Sequence, residues 1–64
     1  MADKPTNDDI KWLKSLPDTA FIGWSGTKHK VMERLGIPGG EFTRWIMPYY
    51  WIVACKKEGQ RRMK

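Results

Sequence analysis

Proline positions limit the length of every helix that this chain can form. The chain has 64 residues, and Pro17 and Pro48 interrupt the segments that are richest in apolar side chains. Because proline lacks a backbone N–H and clashes with the preceding turn, it ends or kinks a helix. The sequence therefore predicts short helices, and it excludes a long amphipathic helix of the kind that lies on a membrane.

The amount of aromatic side chain predicts that these short elements fold into one domain. Eight residues are aromatic, four of them Trp, and Cys55 is the only cysteine. A lone cysteine cannot form an internal disulfide, so stability must come from packing, oligomerisation or a partner. We expect a single domain over residues 1–64, with residues 1–7 as a loose arm.

Composition also predicts where the protein is found. The first twenty residues are polar, and the longest apolar run, residues 45–55, contains Pro48. A membrane-spanning helix needs about twenty apolar residues, and a lone thiol fits a reducing compartment. We therefore expect no membrane association, no signal peptide and a cytoplasmic protein.

Positive charge is concentrated in the second half of the chain. The net charge is +5, and residues 28–64 carry nine Lys or Arg but three Glu. An uneven basic surface favours a polyanionic partner, most often nucleic acid. The competing interpretation is that these side chains only make the protein soluble.

Apolar spacing predicts one helix and one strand before residue 25. Asn7-Asp8-Asp9 supplies an N-cap and acidic first-turn residues, and Pro17 ends the helix. The apolar face of this helix would be formed by Ile10, Trp12, Leu13 and Leu16. Residues 19–24 (TAFIGW) are short, apolar and β-tolerant, which predicts a strand or an extended connector.

Two further helices are predicted around a tight turn at Gly36. Thr27 can cap the second helix, and Gly36 can end it. Pro38 then suits the first turn of a third helix that runs from Gly39 or Gly40 to Met47. Buried positions are expected at Val31, Met32 and Leu35 on the second helix and at Phe42, Trp45 and Ile46 on the third.

The tail is predicted to form a basic β-hairpin. Residues 50–55 are β-branched and aromatic, Glu58-Gly59 has turn character, and residues 60–64 could return as a strand. A helix over residues 49–57 is the alternative. With the hairpin, the fold class is α+β: a small three-helix helix-turn-helix domain with a short β-hairpin wing.

A specific pattern supports this assignment. A helix-turn-helix needs a small residue at the turn and apolar residues at fixed offsets on both helices. Gly36 occupies the turn position, and apolar residues occupy the offsets at Val31, Leu35, Ile37, Phe42 and Trp45.

Through Leu35-Gly36-Ile37 and Phe42-Thr43-Arg44-Trp45, the chain resembles the helix-turn-helix family of bacterial and phage transcription regulators. The basic segment 56–62 is similar to the wing of the winged subclass. The resemblance implies a small protein that binds duplex DNA as a transcriptional regulator or architectural factor. Because one copy would bury only a modest interface, we expect a homodimer or several copies.

The resemblance also implies which residues contact DNA. Residues of the recognition helix would face the major groove, and cations of the second helix and the wing would contact phosphates. Bare glycine N–H groups could also approach a phosphate closely. The implied contact residues are Lys28, Lys30, Gly39, Gly40, Glu41, Thr43, Arg44, Lys56, Lys57, Arg61 and Arg62.

Three adjacent aromatics support an alternative function. Tyr49, Tyr50 and Trp51 cannot all face the core, so at least one is expected to be exposed. An exposed aromatic could anchor a protein partner, as in a phage-type inhibitor or adaptor of a host protein. It could also stack on a base of single-stranded nucleic acid. Joint exposure of the three would favour the protein partner, and burial beneath a basic face would favour DNA.

The remaining reactive residues do not form a catalytic or cofactor pattern. His29 and Cys55 have no companions at metal-ligand spacing, and Gly36-Ile37-Pro38-Gly39-Gly40 lacks the Lys-Ser/Thr of a nucleotide loop. We therefore expect no enzyme activity, no cofactor and no metal.

Overall fold

Three α-helices form the fold. The structure, a computed structural model, describes residues 4–63. Its helices are α1 (Asn7–Ser15), α2 (Trp24–Leu35) and α3 (Tyr49–Arg62), with 3-10 turns at Asp18–Phe21 and Gly39–Glu41 in the two connections. Residues 4–63 contain no β-strand, so the predicted α+β winged-helix fold is wrong. The last residue of the predicted return strand, Lys64, lies outside the described residues, as do residues 1–3 of the predicted arm.

Helix α1 is fixed at its start by a capping box. The Thr6 hydroxyl accepts a hydrogen bond from the Asp9 N–H at 3.1 Å, and the Thr6 N–H donates to the Asp9 carboxylate at 2.9 Å. These two bonds satisfy donors that a helix start leaves unpaired. The N-cap is thus Thr6, one residue before the predicted Asn7. The predicted end at Pro17 is confirmed, because α1 stops at Ser15 and Leu16 is already extended.

The strand predicted for residues 19–24 is replaced by the 3-10 turn Asp18–Phe21 and the first residue of α2. Thr27 holds this connection together from inside α2. Its hydroxyl donates to the Ala20 carbonyl at 2.8 Å, and it is buried. Thr27 therefore does not cap α2 as predicted; the N-cap is Gly23. The hydroxyl satisfies a carbonyl that a strand would have paired with another strand.

The end of α2 at Gly36 is confirmed. Gly36 has a φ of +75°, the left-handed conformation that costs a residue with a Cβ atom. The Ile37 N–H then donates to the Met32 carbonyl at 2.9 Å, which closes a Schellman-type turn.

The predicted third helix, from Gly39 or Gly40 to Met47, does not form. Gly39–Glu41 is a 3-10 turn, residues 42–44 continue as turns, and residues 45–48 have no regular structure. Two glycines lower the helix propensity of the first turn, and Pro48 disfavours a helical conformation at Met47. The segment is also tied to α2, because the Lys28 ammonium donates to the Phe42 carbonyl at 2.6 Å.

The predicted hairpin is instead the continuous helix α3. The strand over residues 50–55, the turn at Glu58-Gly59 and the described part of the return strand all lie inside Tyr49–Arg62. The alternative helix over residues 49–57 is confirmed and extends five residues further. Its buried face recurs at helical spacing and is formed by Trp51, Cys55, Glu58 and, at its end, Arg62. Because two of these four residues are charged, a search for apolar residues at helical spacing does not detect this buried face.

One apolar core lies between the three helices and the segment before α3. Its buried members are Leu13, Val31, Met47, Trp51 and Cys55. The predicted burial of Val31 and Met32 is confirmed, but Leu35 is 42% exposed and Ile46 is 84% exposed. Both expectations assumed a third helix packed against α2, and without that helix these side chains have no apolar surface to cover.

Arg62 joins the end of α3 to the end of α1. Its guanidinium donates to the main-chain carbonyls of Leu13, Lys14 and Leu16, at 3.2 Å and 2.9 Å for the first two. It also donates to the carboxylates of Glu58 at 2.8 Å and Asp18 at 3.1 Å. A helix C-terminus leaves carbonyls without partners and carries a partial negative charge, so a buried cation is well placed there.

We expect Arg62→Ala to reduce the free energy of unfolding by about 3 kcal/mol, because it breaks a buried ion pair and leaves carbonyls of α1 without donors. Urea unfolding followed by tryptophan fluorescence measures the change. The matched control is Arg61→Ala, which removes two hydrogen bonds to Glu58 but from a side chain that is 59% exposed. Equal losses from the two variants would contradict the structural role of Arg62.

Candidate interaction surface

The residues predicted to bind DNA do not share one surface. Gly39, Gly40 and Glu41 form the 3-10 turn, and Thr43 and Arg44 lie in the exposed turns that follow. Lys30 is exposed on α2, whereas Lys56 and Lys57 line two different grooves beside α3. The recognition helix and the wing that were to unite these residues are both replaced by other structure.

Three of the predicted DNA-binding cations are engaged inside the protein. All N–H groups of the Arg62 guanidinium donate within the molecule, and this side chain is 11% exposed. Arg61 pairs with Glu58 through two hydrogen bonds. Lys28 donates to the Phe42 carbonyl and lies 4.5 Å from the centre of the Phe42 ring. Lys28 and Arg62 join separate elements of the fold, whereas Arg61 pairs only within α3.

Glu58 is the buried acid around which two of these cations gather. It is 6% exposed, and hydrogen bonds from Arg61 and then Arg62 hold the pKa of its carboxyl below the usual range against the effect of burial. The carboxylate is therefore charged at neutral pH. Its charge is neutralised by both arginines, so Glu58 is not a free acid for catalysis.

Phe42 was expected in the core but packs on the outer side of α2 instead. Its ring stacks on the His29 ring with 4.2 Å between centroids and an interplanar angle of 15°. Together with Lys28 this contact fixes the turn after Gly39–Glu41 against α2. Trp45, expected to be buried beside Phe42, packs against the core while remaining partly exposed.

The three adjacent aromatics divide between the core and the surface. Trp51 is 1% exposed and meets Trp12 edge to face, with 6.5 Å between the ring centroids. Tyr49 and Tyr50 are 71% and 51% exposed. Neither of the two expected outcomes holds in full: the three are not exposed together, and they are not all buried beneath a basic face.

A groove lies between α1 and α3 and was not foreseen from the sequence. Its volume is about 430 Å³, within the range of roughly 300–1,000 Å³ that is typical of ligand sites. Apolar side chains line it from α1 and from α3: Ile10, Leu13, Tyr50, Val53 and Ala54. Charged side chains line it as well: Lys4, Lys14, Lys57, Glu58 and Arg61.

The signal for this groove was present at helical spacing. Tyr50, Ala54, Lys57 and Arg61 follow one another at intervals of four, three and four residues, which places them on one side of α3. The hairpin prediction kept Tyr50 and Ala54 on one strand face but put Lys57 outside that strand and Arg61 in the return strand. A helical interpretation of the tail would have brought them together.

A second, smaller groove lies on the other side of α3. It is lined by Phe21, Trp24, Thr27, Cys55, Lys56, Gly59, Gln60 and Met63. Cys55 is 2% exposed, and burial raises the pKa of its thiol to about 11. The thiol therefore stays protonated at neutral pH, which makes it a packed side chain and a poor nucleophile.

No family model, no curated protein and no solved structure matches the chain in sequence or fold. Over residues 4–63, His, Cys, Asp and Glu side chains form no group of three or more that could hold a metal ion. Within the same residues, every helix is too short or too polar to cross a membrane.

The shifted thiol predicts an alkaline loss of stability. The unfolded chain ionises Cys55 near its ordinary pKa of 9.0, whereas the folded protein does so only near 11, so the stabilisation is complete below pH 9 and is lost as pH rises toward 11. From pH 8 to pH 10 we expect the free energy of unfolding to fall by about 1 kcal/mol more in the natural protein than in Cys55→Ala. Identical pH profiles of the two proteins in urea unfolding would contradict this burial.

Proposed function

We propose that the chain is a small protein-interaction module that binds a partner through the α1–α3 face, defined here as Ile10, Lys14, Tyr50, Val53 and Lys57. The observation that supports it is an open apolar groove with a half-exposed tyrosine at its edge. Tyrosine is enriched among the residues that dominate binding energy at protein interfaces.

The state of the cations favours a protein partner over specific reading of DNA. Direct reading of bases depends on arginine and similar side chains that reach base edges from an element in the groove. Arg61 and Arg62 are paired with Glu58, and the segment expected to enter the major groove, residues 38–44, is the 3-10 turn Gly39–Glu41 followed by turns and not a helix. The α1–α3 groove, in contrast, offers apolar surface and unpaired charge together.

Duplex DNA is the second candidate, and one observation favours it. Among the described residues, Lys11, Lys30, Lys56 and Lys57 have no carboxylate within salt-bridge distance. Lysines of this kind contact phosphates without reading sequence. This candidate therefore takes the form of weak, sequence-independent binding whose affinity falls steeply with salt.

The two tyrosines allow a matched experiment on the proposed function. A photo-crosslinking amino acid is placed at Tyr50 in one protein and at Tyr49 in another, and both are irradiated in the cells that produce the chain. We expect one protein to be captured from Tyr50 and not from Tyr49, since Tyr50 lines the groove and its neighbour does not. With that partner purified, Tyr50→Ala should weaken binding by about tenfold or more, and Tyr49→Ala should not.

Capture of the same proteins from both positions, or of none from Tyr50, would contradict the proposal. A fluorescent 20-base-pair duplex provides the competing measurement. The result that favours DNA is an affinity for the duplex that falls steeply with salt, is reduced equally by Lys56→Ala and Lys57→Ala, and is unchanged by Tyr50→Ala. With that result, DNA and not a protein would be the partner.

A further inference from the structure

The floor of the α1–α3 groove is aliphatic, and this limits what can occupy it. Ile10 contributes from α1, and Val53 and Ala54 contribute from α3. Ala54 is the smallest of these side chains, so the space above it is open to a side chain from outside. Apolar pockets of this size bind apolar groups because the bound group leaves water.

The rim of the groove is positively charged. Lys4, Lys14 and Lys57 line it, and in residues 4–63 none of them has a carboxylate within salt-bridge distance. Among residues 4–63, Glu58 is the one acidic residue that lines the groove, and it is buried and neutralised by Arg61 and Arg62. Within the part of the chain that the structure describes, an occupant therefore meets ammonium groups without a carboxylate partner around an apolar floor.

Charge complementarity and the aliphatic floor together identify the occupant. To match both the charged rim and the apolar floor, an occupant must carry carboxylates beside apolar side chains. An acidic stretch of a protein provides this combination. Nucleic acid fits less well, since its bases stack on aromatic rings and the groove offers only Tyr50 for that purpose. Lys4 already lies over that ring, 5.0 Å from its centre.

We infer that the groove between α1 and α3 binds an acidic protein segment that inserts apolar side chains over Ala54 and places its carboxylates at Lys14 and Lys57. This inference rests on the proposed function, because it names the chemistry of the partner at the same face. In this arrangement the apolar contacts supply most of the binding affinity, and the lysines determine which partner is bound.

The probe is a twelve-residue peptide of Glu and Asp that carries two Leu residues four positions apart. A second peptide replaces both Leu by Ala, and a third replaces the acids by Lys. Each is titrated into the isotope-labelled full chain and followed by two-dimensional NMR of the backbone amides. We expect the first peptide to shift Ile10, Val53 and Ala54, the second to bind about tenfold more weakly, and the third not to bind.

Neighbouring lysines supply matched controls for the charge. Lys57→Glu and Lys14→Glu should each weaken the first peptide by about tenfold, because both side chains line the groove. Lys56→Glu and Lys11→Glu make the same change in net charge on the same two helices, but they lie outside it, and each should weaken binding by less than about twofold. Circular dichroism of every variant checks that the helices remain.

Equal binding of the Leu and Ala peptides, equal effects of Lys56→Glu and Lys57→Glu, or shifts outside the groove would each overturn the inference. Stronger binding of the 20-base-pair duplex at the same amides would assign the lysines to nucleic acid instead. If the inference fails while Tyr50 still captures one protein, the proposed function stands and only the chemistry of the partner is wrong. If that capture fails as well, both fall.

Discussion

The Arg62 guanidinium sets the geometry on which the rest of this small protein depends. Arginine has five N–H donors in a fixed plane, and here they reach three carbonyls at the end of α1 and the carboxylates of Glu58 and Asp18. The same group lies over the Phe21 ring, 4.6 Å from its centre. One side chain thus connects α1, the first connection and α3. In a chain of 64 residues without a disulfide, such a connection is a large share of what holds the elements together.

This connection also produces the candidate interaction surface. Because the end of α3 is tied to the end of α1, the two helices stay side by side, and the side of α3 that carries Tyr50, Ala54 and Lys57 lies next to Ile10 and Lys14. Ala54 lines the groove between them. Stability and binding are therefore linked: Arg62, paired with the buried Glu58, maintains the fold, and the lysines at the rim remain available to a partner.

Local signals in the sequence predicted both ends of α1 and the C-terminal end of α2, but not the start of α2, where Gly23 and not Thr27 is the N-cap. The acidic first turn before Ile10 and the stop at Pro17 describe α1 to within one residue at its start, and Gly36 ends α2 in the left-handed conformation. These signals depend only on backbone chemistry within a few residues. They remain correct in any tertiary arrangement, which is why they could be read without one.

The helix of the tail could not be predicted in the same way, because some residues on its buried side are buried only through contacts with residues far away in the sequence. Ile52 and Val53 favour a strand, and the buried side of α3 ends with Glu58 and Arg62. These two look like surface residues until the bonds from Arg62 to Glu58 and to the carbonyls of α1 are known. The wrong secondary structure of the tail also led to a wrong assignment of binding residues. An arginine expected on a DNA-binding wing became a structural residue, and the groove beside Ala54 stayed hidden.

The most direct test of this account is the secondary structure of residues 49–62 in solution, measured from backbone carbon chemical shifts. A single helix that is held by Arg62 predicts unbroken helical shifts from Tyr49 to Arg62, together with a slowly exchanging Arg62 Nε proton. Strand-like shifts over residues 50–55 followed by a turn at Glu58-Gly59 would contradict it. That result would restore the hairpin and remove the groove.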